Sequence, residues 1–178
     1  MCDWCLFREL NNLEQLNRFS RDQIEAEFLR CCGSKRWAQA MSVARPFADL
    51  AEFLKTADKI WWSLNEQDWL EAFRAHPKIG EKKAAAPQTE QARSWSAQEQ
   101  AGTRKASADT MSALAAANEA YEQRFGFIFI VCATGKSAAE MLTMLQERLA
   151  NDRPTELRVA ANEQRKITRL RLEKLLKQ

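Results

Sequence analysis

At 178 residues, with 46% hydrophobic and 29% charged residues, the chain has the size and make-up of one globular domain and not of a disordered or fibrous protein. A formal net charge of +3 is too small and too dispersed to imply a nucleic-acid partner. No apolar run approaches the roughly 18 residues of a membrane span, so neither nucleic acid nor membrane is expected as a partner. Five glycines and four prolines leave little punctuation for short strands. They predict an all-α fold: a single-domain helical bundle of about eight helices over residues 1–178, with one short buried extended segment.

In chain order, Leu6, Leu10, Leu13 and Leu16 recur at helical spacing and open the first helix. Ser20 is the expected N-cap of the second, with Phe28 and Leu29 facing inward and Cys31-Cys32-Gly33-Ser34 ending it. Trp37–Val43 reads as a short helix stopped before Pro46. Two further helices are predicted, over Phe47–Leu54 and Thr56–Leu64, and Asn65 should cap another over Gln67–Ala75. His76-Pro77-Lys78-Ile79-Gly80 interrupts the pattern, since proline disfavours helical geometry in the residue before it. Residues 81–94 are polar and alanine-rich and read as a loop or weak helix. Ser96-Ala97-Gln98-Glu99 has the form of a capping box, with the serine capping and the glutamate reaching back. A long helix is expected from there to Arg124, with Gly102 inside it.

Phe125-Gly126-Phe127-Ile128-Phe129-Ile130-Val131-Cys132 is the one strand-like run, and with no second strand to pair it should be buried extended chain. Thr134–Ser137 leads into a helix ending near Leu149, Asn151–Pro154 turns, and a last helix covers Thr155–Leu176. Arg165, Lys166, Arg169, Arg171, Lys174 and Lys177 alternate with leucines there and read as a solvated face.

The cysteines are Cys2, Cys5, Cys31, Cys32 and Cys132. Cys2-x-x-Cys5 is not completed by a second such pair or by paired histidines, so no metal site is expected and the thiols read as free. Free thiols, with no basic-then-apolar leader, point to the cytoplasm. Gly135-Lys136-Ser137 lacks the upstream glycine of a phosphate loop, position 130 being isoleucine.

His76 is the only histidine in the chain. It can serve structurally, its imidazolium complementing a helix C-terminus, or act in proton transfer, since imidazole titrates near neutrality. Glu99 can likewise be a capping partner or an active carboxylate. A helix starting at Ser96 would add free N–H groups and a positive dipole end for an anion. The residues alone do not name a reaction.

Further motifs are spread through almost the whole length of the chain. They are Cys32-Gly33-Ser34 with Arg36-Trp37-Ala38 and Arg45-Pro46-Phe47, and Asp68–Phe73 running into His76–Gly80. Ser96–Gly102, Tyr121–Phe127, and Arg148–Asp152 with Glu156-Leu157 complete the set. In that order and spacing the sequence resembles the family of 2-oxo-4-hydroxy-4-carboxy-5-ureidoimidazoline (OHCU) decarboxylases. One departure is Ile128, where the family often has proline. The resemblance implies a cytoplasmic, cofactor-free homodimer that converts OHCU to (S)-allantoin and carbon dioxide in urate breakdown. It implies His76 and Glu99 as the catalytic pair. Pro77, Ser96, Ala97, Gln98, Glu99, Gln100, Ile128, Phe129, Ile130, Val131 and Cys132 would bind substrate, and Arg148 would balance negative charge or form a structural ion pair. The competing readings are a related small ureide lyase or hydrolase, or a helical interaction module that uses the six tryptophans and the C-terminal helix.

Overall fold

Side-chain caps decide where most helices begin in the computed structural model, which describes residues 12–81 and 84–177. The order is α1 (residues 12–18), α2 (Arg21–Cys32), α3 (Lys35–Val43), α4 (Leu50–Ser63), α5 (Glu66–Arg74), α6 (Glu90–Glu99), a 3₁₀ turn (Ala101–Thr103), α7 (Ala108–Phe125), α8 (Ala138–Arg148) and α9 (Arg153–Leu175). The all-α expectation holds: among the described residues there is no strand, only an isolated bridge between Pro77 and Ala84. Leu6, Leu10 and the Cys2-x-x-Cys5 pair lie outside the described residues.

Ser20 and Gln23 close a capping box on α2, and Gly33, at φ 86°, ends it in the left-handed conformation. Asn65 and Asp68 cap α5 reciprocally: each backbone N–H donates to the other residue's side-chain oxygen, at 3.1 and 3.2 Å. Ser137 and Glu140 do the same for α8. Residues 128–133 are neither helix nor strand, as expected, but Phe125 belongs to α7, which Gly126 terminates.

Several sequence expectations are corrected. The two helices placed over Phe47–Leu54 and Thr56–Leu64 are one, α4, because the Asp49 carboxylate accepts from the Glu52 N–H at 2.7 Å and nothing breaks the chain at Lys55. Of the two readings of residues 81–94, a loop or a weak helix, residues 90–94 take the helical one: Thr89 caps α6, its hydroxyl accepting from the Ala92 N–H at 3.2 Å, and burial of Ala92 and Trp95 holds the helix down. Ser96 is therefore no N-cap, and Ser96–Glu99 form the last turn of α6. The long helix expected to Arg124 is broken at Gln100 and restarts at Ser107, whose hydroxyl accepts from the Thr110 N–H. Gly102 is in the 3₁₀ turn, where a Cβ would come 1.9 Å from the Lys136 carbonyl oxygen. Leu29 is 37% exposed and not inward. The C-terminal basic residues do not form one solvated face: Arg171 is buried, and Arg165 pairs with Asp58 at 2.7 Å.

The chain forms two compact units. In the first, the described residues up to Trp69 and those from Arg165 onward, Phe28 packs against Trp37 and Phe53, and Trp61 against Trp69. Arg45 donates to the carbonyls of Leu16, Asn17 and Phe19, satisfying the otherwise open end of α1. In the second unit, Leu70–Gln164, Tyr121 packs against Phe125, Phe127 and Phe129, and Phe73 joins them through Phe127. Four tryptophans, Trp37, Trp61, Trp69 and Trp95, are core residues, and only Trp62 is exposed among those described. That removes most of the aromatic surface on which an interaction module was supposed to rely. No described helix is long and apolar enough to cross a membrane.

Candidate active site

Every residue singled out as catalytic or substrate-binding belongs to the second unit. His76 lies two residues past the end of α5. The Ala75 and His76 N–H groups donate to Ala72 and Phe73 at 3.2 and 3.0 Å, a tightened last turn that Pro77 prevents from continuing. The imidazole is only 7% exposed, more enclosed than a turn position suggests. Beyond it the chain folds back through a Glu81 N–H to Lys78 carbonyl bond of 3.0 Å. Gly80 has φ 90°, and a Cβ there would meet the Met111 side chain at 2.8 Å, so the turn is tight against α7. Lys78 pairs with Glu122 at 2.7 Å, and that hydrogen bond holds its ammonium above the usual lysine range.

The second segment sits at the C-terminal end of α6. Ser96 and Glu99 are buried, Ala97 and Gln98 are exposed, and Gln100 is half-buried. This end of the helix offers carbonyls and a negative pole, the reverse of what a helix starting at Ser96 would present. Gln98 turns away, its amide donating to Ser94 at 3.4 Å. Gln100 instead accepts from the Gly80 N–H at 3.0 Å and so joins the end of α6 to the His76 turn. Pro77, Ser96, Ala97 and Gln100, with Arg93 and Arg104, line a cavity of about 580 Å³. His76, Glu99 and residues 128–132 are not among its lining groups.

The third segment is mostly core. Phe129, Ile130 and Val131 are buried, while Ile128 and Cys132 are partly accessible. Much of its backbone is already committed. The Ile130 carbonyl accepts from Arg148 at 2.8 Å, the Cys132 N–H donates to Glu163 at 2.9 Å, and the Cys132 carbonyl accepts from the Lys136 ammonium at 2.7 Å. Burial pushes the Cys132 thiol up, against Lys136; Glu163 and Glu99 add to the rise.

Arg148 has a structural partner. It is buried against Glu156, which also takes the Tyr121 hydroxyl and the Asn151 amide. Burial, followed by the bond to Glu156, drives the Tyr121 phenol up, with Arg148 opposing. Of the two roles the sequence left open for Arg148, the ion pair is the one observed.

Sequence reasoning missed Asn118, whose side-chain amide donates to the Ile79 carbonyl at 3.0 Å. A signal existed: Leu114, Asn118, Tyr121 and Phe125 form one buried stripe at helical spacing, and a lone polar residue in such a stripe has a specific task. Glu163, which orders Cys132, was missed for the same reason.

Comparison with known proteins places these segments in context. The family model described as OHCU decarboxylase matches residues 17–173. The chain is 43% identical over 152 residues to the uric acid degradation bifunctional protein TTL of Arabidopsis thaliana, covering 85% of this chain and 47% of that protein. It thus spans less than half the length of that bifunctional relative. The 2-oxo-4-hydroxy-4-carboxy-5-ureidoimidazoline decarboxylase of Amia calva is 31% identical over 141 residues, covering 78% of this chain and 79% of that one. Among solved structures, an OHCU decarboxylase crystallised in the presence of (S)-allantoin superposes with a TM-score of 0.73 at 42% identity, covering 85% of this chain and 98% of the other.

Proposed function

Because the chain belongs to the OHCU decarboxylase family, we propose that it converts OHCU to (S)-allantoin and carbon dioxide, with His76 and Glu99 as the proton-handling pair. The observation that carries the reading is the bond from the Gly80 N–H to Gln100, which joins the segment bearing His76 to the segment bearing Glu99 while both side chains stay nearly sequestered from bulk water.

In OHCU the carboxylate sits on a carbon next to a ring C=N. As the bond to the carboxylate breaks, its electron pair moves into that C=N and carbon dioxide leaves. The substrate is its own electron sink, so the protein's work is orientation and charge stabilisation. The hydroxyl proton is given up as the ring carbonyl forms, a proton arrives on one face of the carbon that becomes the stereocentre, and the ring nitrogen that took the electron pair is protonated from water, which balances the carboxylate charge lost with carbon dioxide. One of His76 and Glu99 takes the first proton and the other directs the second. Burial strengthens every electrostatic contact between these groups and the substrate. Pro77, the 96–100 turn and the 128–132 backbone shape the binding site around them. In this reading the chain needs no cofactor, functions as one domain across both units, works as a homodimer and resides in the cytoplasm.

The test is to add the protein to freshly generated OHCU and follow circular dichroism. Uncatalysed decay gives racemic product, so an optical excess of (S)-allantoin supports the assignment and its absence refutes it. His76→Ala should lower turnover by about 10²- to 10⁴-fold in protein whose far-ultraviolet spectrum is unchanged; a fully active variant would remove His76 from the mechanism. A related lyase would leave OHCU untouched and turn over its own ureide.

A further inference from the structure

We infer that Asn118 is a positioning residue for catalysis, holding the His76 turn in register with the end of α6 through a single peptide group. The inference rests on the decarboxylase reading for its kinetic consequence, but not for its geometry.

The C=O of Ile79 and the N–H of Gly80 belong to the same peptide plane. The first accepts from the Asn118 Nδ2 at 3.0 Å and the second donates to the Gln100 Oε1 at 3.0 Å. A planar group held at both ends, by a residue of α7 and by the residue that caps the end of α6, loses its freedom to rotate. His76 lies three residues upstream, and little slack separates it from the clamp. Pro77 has a fixed φ, the Lys78 carbonyl is engaged by the Glu81 N–H, and Gly80 abuts Met111. Gln100 is the neighbour of Glu99. The clamp therefore sets where the imidazole's segment stands relative to the carboxylate's.

Asn118 is a costly choice for packing alone. It is 3% exposed, between Leu114 and Tyr121 in a stripe that a leucine would continue. Its Oδ1 is buried with no hydrogen-bond partner among the described residues. A buried acceptor left unsatisfied lowers stability, so the return on the residue is the one donor aimed at Ile79. Lys78 with Glu122 supplies a second tie from the same face of α7, one helical turn further on, but it restrains a flexible side chain and not the backbone.

The sole histidine provides a readout independent of turnover, because untagged protein has one imidazole resonance to follow by NMR. In Asn118→Ala we expect retained helical circular dichroism, a displaced His76 resonance, and a kcat lowered about 10- to 100-fold with KM changed less than about threefold, the pattern of misplacement and not of lost binding. Asn118→Asp supplies a second arm. A protonated carboxyl donates to the Ile79 carbonyl as the amide does, and an ionised one cannot. Its activity relative to wild type at the same pH should be near one at the acid end. It should fall to the Asn118→Ala level once the carboxyl ionises, and the His76 resonance should move in step. The charged groups gathered at this turn, Lys78 and Glu81 on it and Glu119 and Glu122 on α7, are common to all three proteins and cancel in the ratio. If Asn118→Ala does not fold, the Asp variant at acid pH decides. A wild-type resonance with unchanged kcat in Asn118→Ala, or a pH-independent ratio for Asn118→Asp, overturns the inference. If the wild-type protein itself gives no optical excess, the decarboxylase reading falls, while the resonance comparison still judges the positioning.

Discussion

Removing the Glu156 side chain tests how the second unit is held together. The carboxylate is fully buried and accepts from the Tyr121 hydroxyl, from Arg148 through Nε at 2.8 Å and through Nη2, and from the Asn151 amide at 2.7 Å. Glu156→Ala strands a guanidinium over the Phe129 ring, 4.5 Å from its centroid, with only the Ile130 carbonyl and the Tyr121 hydroxyl as polar company. An uncompensated buried charge costs about 3–5 kcal/mol, and a stranded hydroxyl adds about 1–3 kcal/mol. Against a total stability of about 5–15 kcal/mol the variant should be near its folding limit. Its melting temperature should fall by about 8–32 °C at about 2–4 °C per kcal/mol for a chain of this size. Urea titration followed by far-ultraviolet circular dichroism measures the loss. Replacing both partners, Arg148→Met with Glu156→Leu, should recover most of it, because the desolvation cost of both charges disappears together. The double variant should also keep decarboxylase activity, since Glu156 already neutralises Arg148. A loss below about 1 kcal/mol in Glu156→Ala, or an inactive but folded double variant, would refute this account.

Glu99→Gln should abolish turnover without lowering stability. A carboxylate at a helix C-terminus opposes the dipole by about 0.3–1 kcal/mol, the opposite sign to the capping role its sequence context suggested; a destabilised variant in thermal melts would contradict that. Gly102→Ala should destabilise by about 1–3 kcal/mol, because its methyl would overlap the Lys136 carbonyl; an unchanged melting curve would show that the 3₁₀ turn moves freely. The Cys132 thiol, raised by burial, should react with iodoacetamide slowly at neutral pH. Its rate should climb with a midpoint above that of an unburied thiol, since only the thiolate reacts. Mass spectrometry of the modified peptide gives the profile, and a midpoint at or below the ordinary value would mean that the pocket favours the anion.

What the sequence determined by itself is what depends on near neighbours. Ser20 and Asn65 cap the helices their positions promised, because a cap is a contact over three residues. Pro77 keeps the chain past Arg74, where α5 ends, from resuming the helix, and the 128–133 run is mostly buried chain that pairs with no strand among the described residues, both written in residue type. The family signature reached further, since it compresses the outcome of folding into an order of short motifs. Tertiary structure alone decided the rest. Thr89 outcompeted Ser96 as a helix start because Ala92 and Trp95 could be buried only if the helix began earlier. Arg148 met Glu156, and Arg165 met Asp58, across separations that no local pattern encodes. Asn118 shows the limit: its place in an apolar stripe marks it as unusual, but that its amide holds Ile79, 39 residues away, follows only from how α7 packs against the turn. Long-range polar pairing depends on the sum of packing over the whole unit, and geometry carries that information where sequence spacing does not.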